Sequence, residues 1–127
     1  MTPPSPTTVS LYVALGGATG SLLRYQTGRM MTYWLGPQAM TAFPWATLAV
    51  NVLGSLAMGL LIGFLARHGS GASEVWRLLI GIGLLGGFTT FSSFSMEMMM
   101  LIERGQPALA LTYAAVSLFA GLTALYI

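Results

Sequence analysis

The chain is 127 residues long, 55% hydrophobic and only 6% charged, against roughly 25% charged residues in a soluble domain; this is the composition of an integral membrane protein. The net charge is +2, and the arginines stand scattered at positions 24, 29, 67, 77 and 104, so no basic stripe exists and nucleic acid is excluded as a partner. Without cysteine there is no disulfide, thiol nucleophile or thiolate metal site, and the lone His68 cannot build a metal cluster.

The first eight residues, MTPPSPTT, are rich in Pro and Thr and lack the basic region of a signal peptide. They are expected to form a short disordered leader, with residues 9–127 as a single four-helix transmembrane domain. A spanning helix needs about 20 apolar residues, and four stretches qualify: roughly Val9 to Tyr33, Pro44 to Ala66, Glu74 to Ile102 and Pro107 to Ile127. Turn formers separate them at Gly36-Pro37, in the run His68 to Ser73, and at Gly105-Gln106-Pro107. Trp34, Trp45 and Trp76 fall at span ends, where aromatic belts sit. With four spans, Arg24, Arg29 and Arg104 lie toward one face and Arg67 and Arg77 toward the other. Three against two is almost no positive-inside instruction. Such a chain can insert both ways, and two opposed copies can pair about an axis in the membrane plane.

Small and polar residues recur at helical spacing. Tyr12, Gly16, Gly20, Arg24 and Gly28 form one stripe, Asn51, Ser55, Gly59 and Gly63 a second, and Tyr113, Ser117 and Gly121 a third. Glycines at i, i+4 let helix backbones approach closely, the main source of packing energy in lipid. Arg24 is long enough to reach the nearer interface. Asn51 is too short to do so, and a buried amide in lipid needs a partner or water.

The third segment is the most unusual. Around its midpoint, Gly81, Gly83, Gly86 and Gly87 are followed by Thr89, Thr90, Ser92, Ser93 and Ser95, which is poor helix chemistry and good loop chemistry. Irregular backbone at membrane depth survives only inside protein or against a wet cavity, and a broken helix frees carbonyls from one half and amides from the other. Carbonyls suit a hard cation; amides, hydroxyls and the NH2 of Asn51 suit an anion. Phe88, Phe91 and Phe94 recur every three residues. Packing accounts for such spacing, but an aromatic ring also has a positive edge that can face an anion.

The stretches GATGSLLRY at 17–25, ATLAVNVLGS at 46–55 and GGFTTFSSFSME at 86–97 resemble the signatures of the small four-helix fluoride channels, the Fluc or CrcB family. The resemblance runs from Val9 onward with motif order and spacing kept. It implies an all-α membrane protein of four transmembrane helices, the third broken at its centre, forming a dual-topology antiparallel homodimer in the bacterial inner (plasma) membrane. It further implies two fluoride pores and a structural sodium ion at the dimer centre. By this resemblance Phe91 and Phe94 are the pore phenylalanines, Asn51 the pore asparagine, and Tyr113 and Ser117 the start of a polar track on the fourth helix. Gly86 and Thr89 match the positions whose carbonyls hold sodium, Arg24 the first-helix arginine and Glu97 the vestibule acid; Thr90 and Ser92 are further polar candidates beside the break. The track continues as Gly121 and Leu125, without hydroxyls.

The function expected is passive fluoride efflux down the ion's own gradient, through a pore that replaces the hydration shell without trapping the ion. Two other classes remain in view. A small multidrug exporter of dual topology needs a carboxylate in the first helix, yet no Asp or Glu lies between Met1 and Ser73. A non-transporting assembly subunit would use the polar groups at 89–95 only to bind a partner. No nucleophile and base converge at one depth, so an enzyme is not expected.

Overall fold

A computed structural model describes residues 5–67 and 73–126, all of whose regular structure is helical. The elements are α1 (Pro6–Leu35), α2 (Pro37–Ala42), α3 (Trp45–Arg67), α4 (Ser73–Trp76), a wide-turned π-helical stretch (Arg77–Leu85), α5 (Gly86–Phe88), α6 (Phe91–Glu103) and α7 (Pro107–Tyr126). Most of the expected loop from His68 to Ser73, and residues 1–4 of the expected leader, lie outside the described residues. The rest of that leader is not irregular. Ser5 caps α1 by accepting the Thr8 N–H at 3.2 Å, and Pro6 takes the first helical position, where its missing N–H costs nothing.

Among the described residues, three helical segments are long and apolar enough to cross a membrane: Trp45–Arg67, Glu74–Glu103 and Pro107–Tyr126. The first expected span is not among them. At 30 residues α1 has ample length, but its Gly, Ser and Thr residues, with Arg24, Gln26 and Arg29, dilute its apolar character. Large apolar side chains such as Leu111 (71%) and Phe119 (67%) are mostly exposed, as suits a surface facing hydrocarbon rather than water. The enclosed core is small: Leu101, Ala110 and Tyr113, flanked by Phe43, Leu48, Phe94, Met98 and Leu109.

Helix ends follow local chemistry. Gly36 ends α1 at φ +90°, and Pro37 opens α2 directly behind it. At the end of α6, Gly105 adopts φ +77°, its N–H bonds the Ile102 carbonyl at 3.0 Å and the Gln106 N–H bonds Leu101 at 2.9 Å. This is the paired closure of a Schellman turn. Arg104 then donates to the Thr41 carbonyl at 2.8 Å, tying α2 to the end of α6.

α1 lies along the π-helical stretch and α5, while α3 lies along α7. Glycines set these distances. A Cβ on Gly16 or Gly20 would collide with the carbonyl oxygens of Leu79 and Leu84, and one on Gly87 would stand 2.5 Å from the Gly17 oxygen. On the other side of the bundle, a Cβ on Gly59 would collide with the Leu125 carbonyl. The small-residue stripes therefore bring backbone against backbone.

Past its π-helical stretch, the third span turns extended after the glycines at 86 and 87 and not at them. Gly86 is helical (φ −62°, ψ −38°); the extended residues are Thr89 (φ −85°, ψ 160°) and Thr90 (φ −153°, ψ 124°). Gly87 serves close packing, and Gly54 of α3 leaves space for the Thr89 methyl. The backbone groups released at Thr90 are met by a side chain. Asn51 accepts the Thr90 N–H on Oδ1 at 2.8 Å and donates from Nδ2 to the Thr90 carbonyl at 3.2 Å. Thr90 in turn caps α6, its hydroxyl accepting the Ser93 N–H at 3.3 Å.

Two stability outcomes are expected. Gly20→Ala overpacks a backbone contact and should cost about 1–3 kcal/mol, read as a lower melting temperature in detergent, whereas Gly28→Ala, with nothing within 4 Å, should be neutral or slightly stabilising. Asn51→Ala strands a half-buried N–H and C=O at a cost of up to about 1–3 kcal/mol for each group. An unshifted melting curve for Asn51→Ala would show that the amide does not hold the extended turn.

Candidate functional site

Two cavities meet at Thr90. The inner one, about 520 Å³, lies between α3, the Thr89–Thr90 turn, α6 and α7, and is lined by Asn51, Ser55, Thr90, Phe91, Phe94 and Ser117 among others. None of its lining residues is charged. The outer one, about 490 Å³, is lined by Arg24, Arg29, Thr47, Thr90 and Ser93 with apolar neighbours, and none of its lining residues is acidic.

Sequence spacing explains the inner wall. Phe91 and Phe94 stand three residues apart, so one turn of α6 brings their ring centroids to 5.8 Å at 40°. Phe94 is held by the buried Tyr113 ring at 5.0 Å, whereas Phe91 is 78% exposed. Asn51 spends one amide hydrogen on the Thr90 carbonyl and has a second N–H to offer. The Ser117 hydroxyl oxygen is buried with no hydrogen-bond partner. Donors and aromatic rings thus share one uncharged space.

Tyr113 is placed differently from the other expected track residues. It is fully buried at 0% exposure, does not line the cavity, and gives its hydroxyl to Glu97 Oε1 at 3.0 Å. Thr47 donates to the other carboxylate oxygen at 2.8 Å. Glu97 is therefore held between α3 and α7 and lines neither cavity. Thr47, which the sequence reading passed over, lies four residues before Asn51 and so extends the same stripe; that spacing was the available signal.

Arg24 lines the outer cavity with its Nε buried and unpartnered. Among the described residues the one ion pair is Glu74 with Arg77, at 2.7 Å on the exposed start of the third span. Arg24 and Arg29 thus line the outer cavity with no acidic residue in its wall, and the Glu97 carboxylate lies behind Thr47. Ser92 is exposed, 3.3 Å from the Thr90 hydroxyl, and lines neither cavity. Gly86 also lies off both walls, while Thr89 lines the inner one and donates its hydroxyl to the Leu85 carbonyl at 2.9 Å. The described residues contain no cluster of three His, Cys, Asp or Glu able to hold a metal.

Comparison with known proteins converges on one group. Residues 11–127 match the family described as CrcB-like protein, Camphor Resistance (CrcB). A protein of Erythrobacter litoralis is 58% identical over 120 residues, covering 94% of this chain and 88% of the relative. One from Novosphingobium aromaticivorans is 52% identical over 120 residues (94% and 92%), and one from Sphingopyxis alaskensis 54% over 112 residues (88% and 85%). All three bear the name "Fluoride-specific ion channel FluC". With three apolar spans, an uncharged cavity of donors and aromatic rings, and a family match that covers nearly the whole length, the chain belongs to the CrcB-like family of multi-pass membrane proteins.

Proposed function

We propose that this chain is a fluoride channel, an ion-conducting protein and not an enzyme, that lets fluoride leave the cell passively. The observation that carries the reading is the inner cavity: an uncharged space lined by a spare amide N–H, an unpartnered hydroxyl and two aromatic rings, in relatives of proteins named as fluoride-specific channels. Fluoride is small and strongly hydrated, so a pore must replace its water with donors while holding it weakly enough for release. Positive ring edges and neutral donors meet that need. A lysine or arginine in the same space would bind the ion too firmly. Arg24 and Arg29 stand in the outer cavity instead, where positive potential concentrates anions at the mouth. The relatives' names lend nothing to the exporter or assembly-subunit readings.

The unit that conducts is, on this reading, an antiparallel homodimer with two pores, α1 crossing the bilayer as the fourth span of each copy. At about 1.5 Å per residue its 30 residues reach far enough. Three arginines against two impose little orientation. Phe91, exposed at 78% in the middle of a span and beside the cavity, supports a partner that closes the pore over it. The central cation is proposed as sodium held by the Gly86 and Thr89 carbonyls. Each of these has lost its helical i+4 donor, because the Thr90 N–H goes to Asn51 and the Ser93 N–H to the Thr90 hydroxyl. Two copies would offer four neutral oxygens, a set suited to a monovalent hard cation. When bound, the ion supplies positive potential and a structural link between copies.

Purified protein in liposomes should release fluoride but not chloride, read with ion-selective electrodes; equal release of both, or of neither, would refute the channel reading. Phe94→Ile should slow fluoride efflux about tenfold, the kinetic equivalent of about 1.4 kcal/mol, with the dimer eluting unchanged. Replacing all sodium by a bulky organic cation should likewise reduce flux without unfolding the protein.

A further inference from the structure

We infer that Ser55 presents, from α3, a hydroxyl contact for the permeating anion at the level where α7 offers only Gly121. The inference rests on the fluoride-channel reading and adds a residue to it.

The register between the two helices leads there. α3 and α7 lie side by side, and a Cβ on Gly59 would collide with the Leu125 carbonyl. One turn earlier on both helices, a Cβ on Gly121 would sit 3.6 Å from the Ser55 Oγ, with no other heavy atom beyond its own helix backbone within 4 Å. A further turn back, Asn51 and Ser117 line the same cavity. The two helices thus advance in step, Asn51 with Ser117 and then Ser55 with Gly121. At the first level both helices bring a polar group; at the second only α3 does.

Neither serine hydroxyl is spent on its own helix. Along this chain Ser10, Thr19, Thr27, Thr32 and Thr112 each donate to the carbonyl four residues back, the usual sink for a hydroxyl in an apolar helix. The Ser117 oxygen is buried without a partner, and among the described residues no hydrogen bond involves the half-buried Ser55 hydroxyl. Both residues line the cavity. An anion moving one helical turn from the Asn51–Ser117 level travels about 5.4 Å, and Ser55 keeps a donor beside it over that step. Without it the ion would face Gly121 and Leu118, and would have to regain water in a largely apolar space.

The space at Gly121 makes a decisive test available, since 3.6 Å is ordinary contact and a small side chain fits there. In liposomes holding the purified protein, Ser55→Ala should slow fluoride efflux about tenfold, the effect of one lost hydrogen bond of ordinary strength. Adding Gly121→Ser to Ser55→Ala returns a hydroxyl to the same level from the other helix and should bring the rate back to within about threefold of wild type, whereas Gly121→Ala in that background should not. Efflux from Ser55→Ala at the wild-type rate overturns the inference. So does a slow Ser55→Ala that Gly121→Ser fails to restore while the protein elutes as the native dimer, because Ser55 is then packing. Should Ser55→Ala not fold, the near-isosteric Ser55→Cys, a weaker donor, is expected to slow efflux, and a wild-type rate from it is equally fatal. Wild-type vesicles that release no fluoride refute the channel reading itself, and this inference with it; the other failures leave that reading standing.

Discussion

The paired hydrogen bonds between the Asn51 side chain and the Thr90 backbone are the constraint on which the rest of the site depends. Extended residues in the middle of an apolar span expose an N–H and a C=O to surroundings that cannot solvate them. A primary amide is the one neutral side chain that supplies a donor and an acceptor side by side, and α3 delivers it at that depth. Because the Thr90 N–H is taken, the Gly86 carbonyl loses its helical partner; because the Thr90 hydroxyl caps Ser93, so does the Thr89 carbonyl. One side chain thus stabilises the turn, restarts α6 at Phe91, and aims Phe91 and Phe94 at the cavity.

Close backbone contact makes that placement exact enough to matter. Gly16, Gly20 and Gly87 seat the third span against α1, and Gly59 seats α3 against α7. Few side chains are fully buried, so the bundle does not rely on a thick apolar core. In lipid, where apolar surface gains little by leaving the solvent, tight contact between small residues is the available source of cohesion. It also fixes the relative depth of helices, which decides the residues that face each other across a cavity.

Charge is partitioned with the same economy. The outer cavity carries Arg24 and Arg29 with no acid in its wall, and the inner one carries no charge. Glu97, the acid nearest the cavities in sequence, is engaged on both oxygens by Thr47 and Tyr113. That engagement keeps negative charge off the inner wall while bracing α3, α6 and α7 together. Fixed cations and neutral dipoles are therefore given to different places.

The membrane class, three of the four expected apolar spans, the turns at Gly36 and Gly105, and the small-residue stripes were legible in the amino-acid sequence, because each depends on residues within one or two helical turns of each other. Ser5 and Pro6 also carried a local start signal, although the Pro-rich opening read as a leader. The glycines at 86 and 87 were legible as unusual and not as to purpose: glycine serves both chain bending and close approach, and only the contact between Gly87 and Gly17 shows which applies. Family resemblance singled out Asn51, Phe91, Phe94 and Ser117, and the fold brings those four to one cavity. It could not say that Asn51 would be bound to a backbone 39 residues away, that Tyr113 would turn from the cavity to Glu97, or that Ser55 would face Gly121. Those outcomes depend on the depth at which one helix stops against another. That depth is set by backbone contacts between distant segments, which no local pattern encodes.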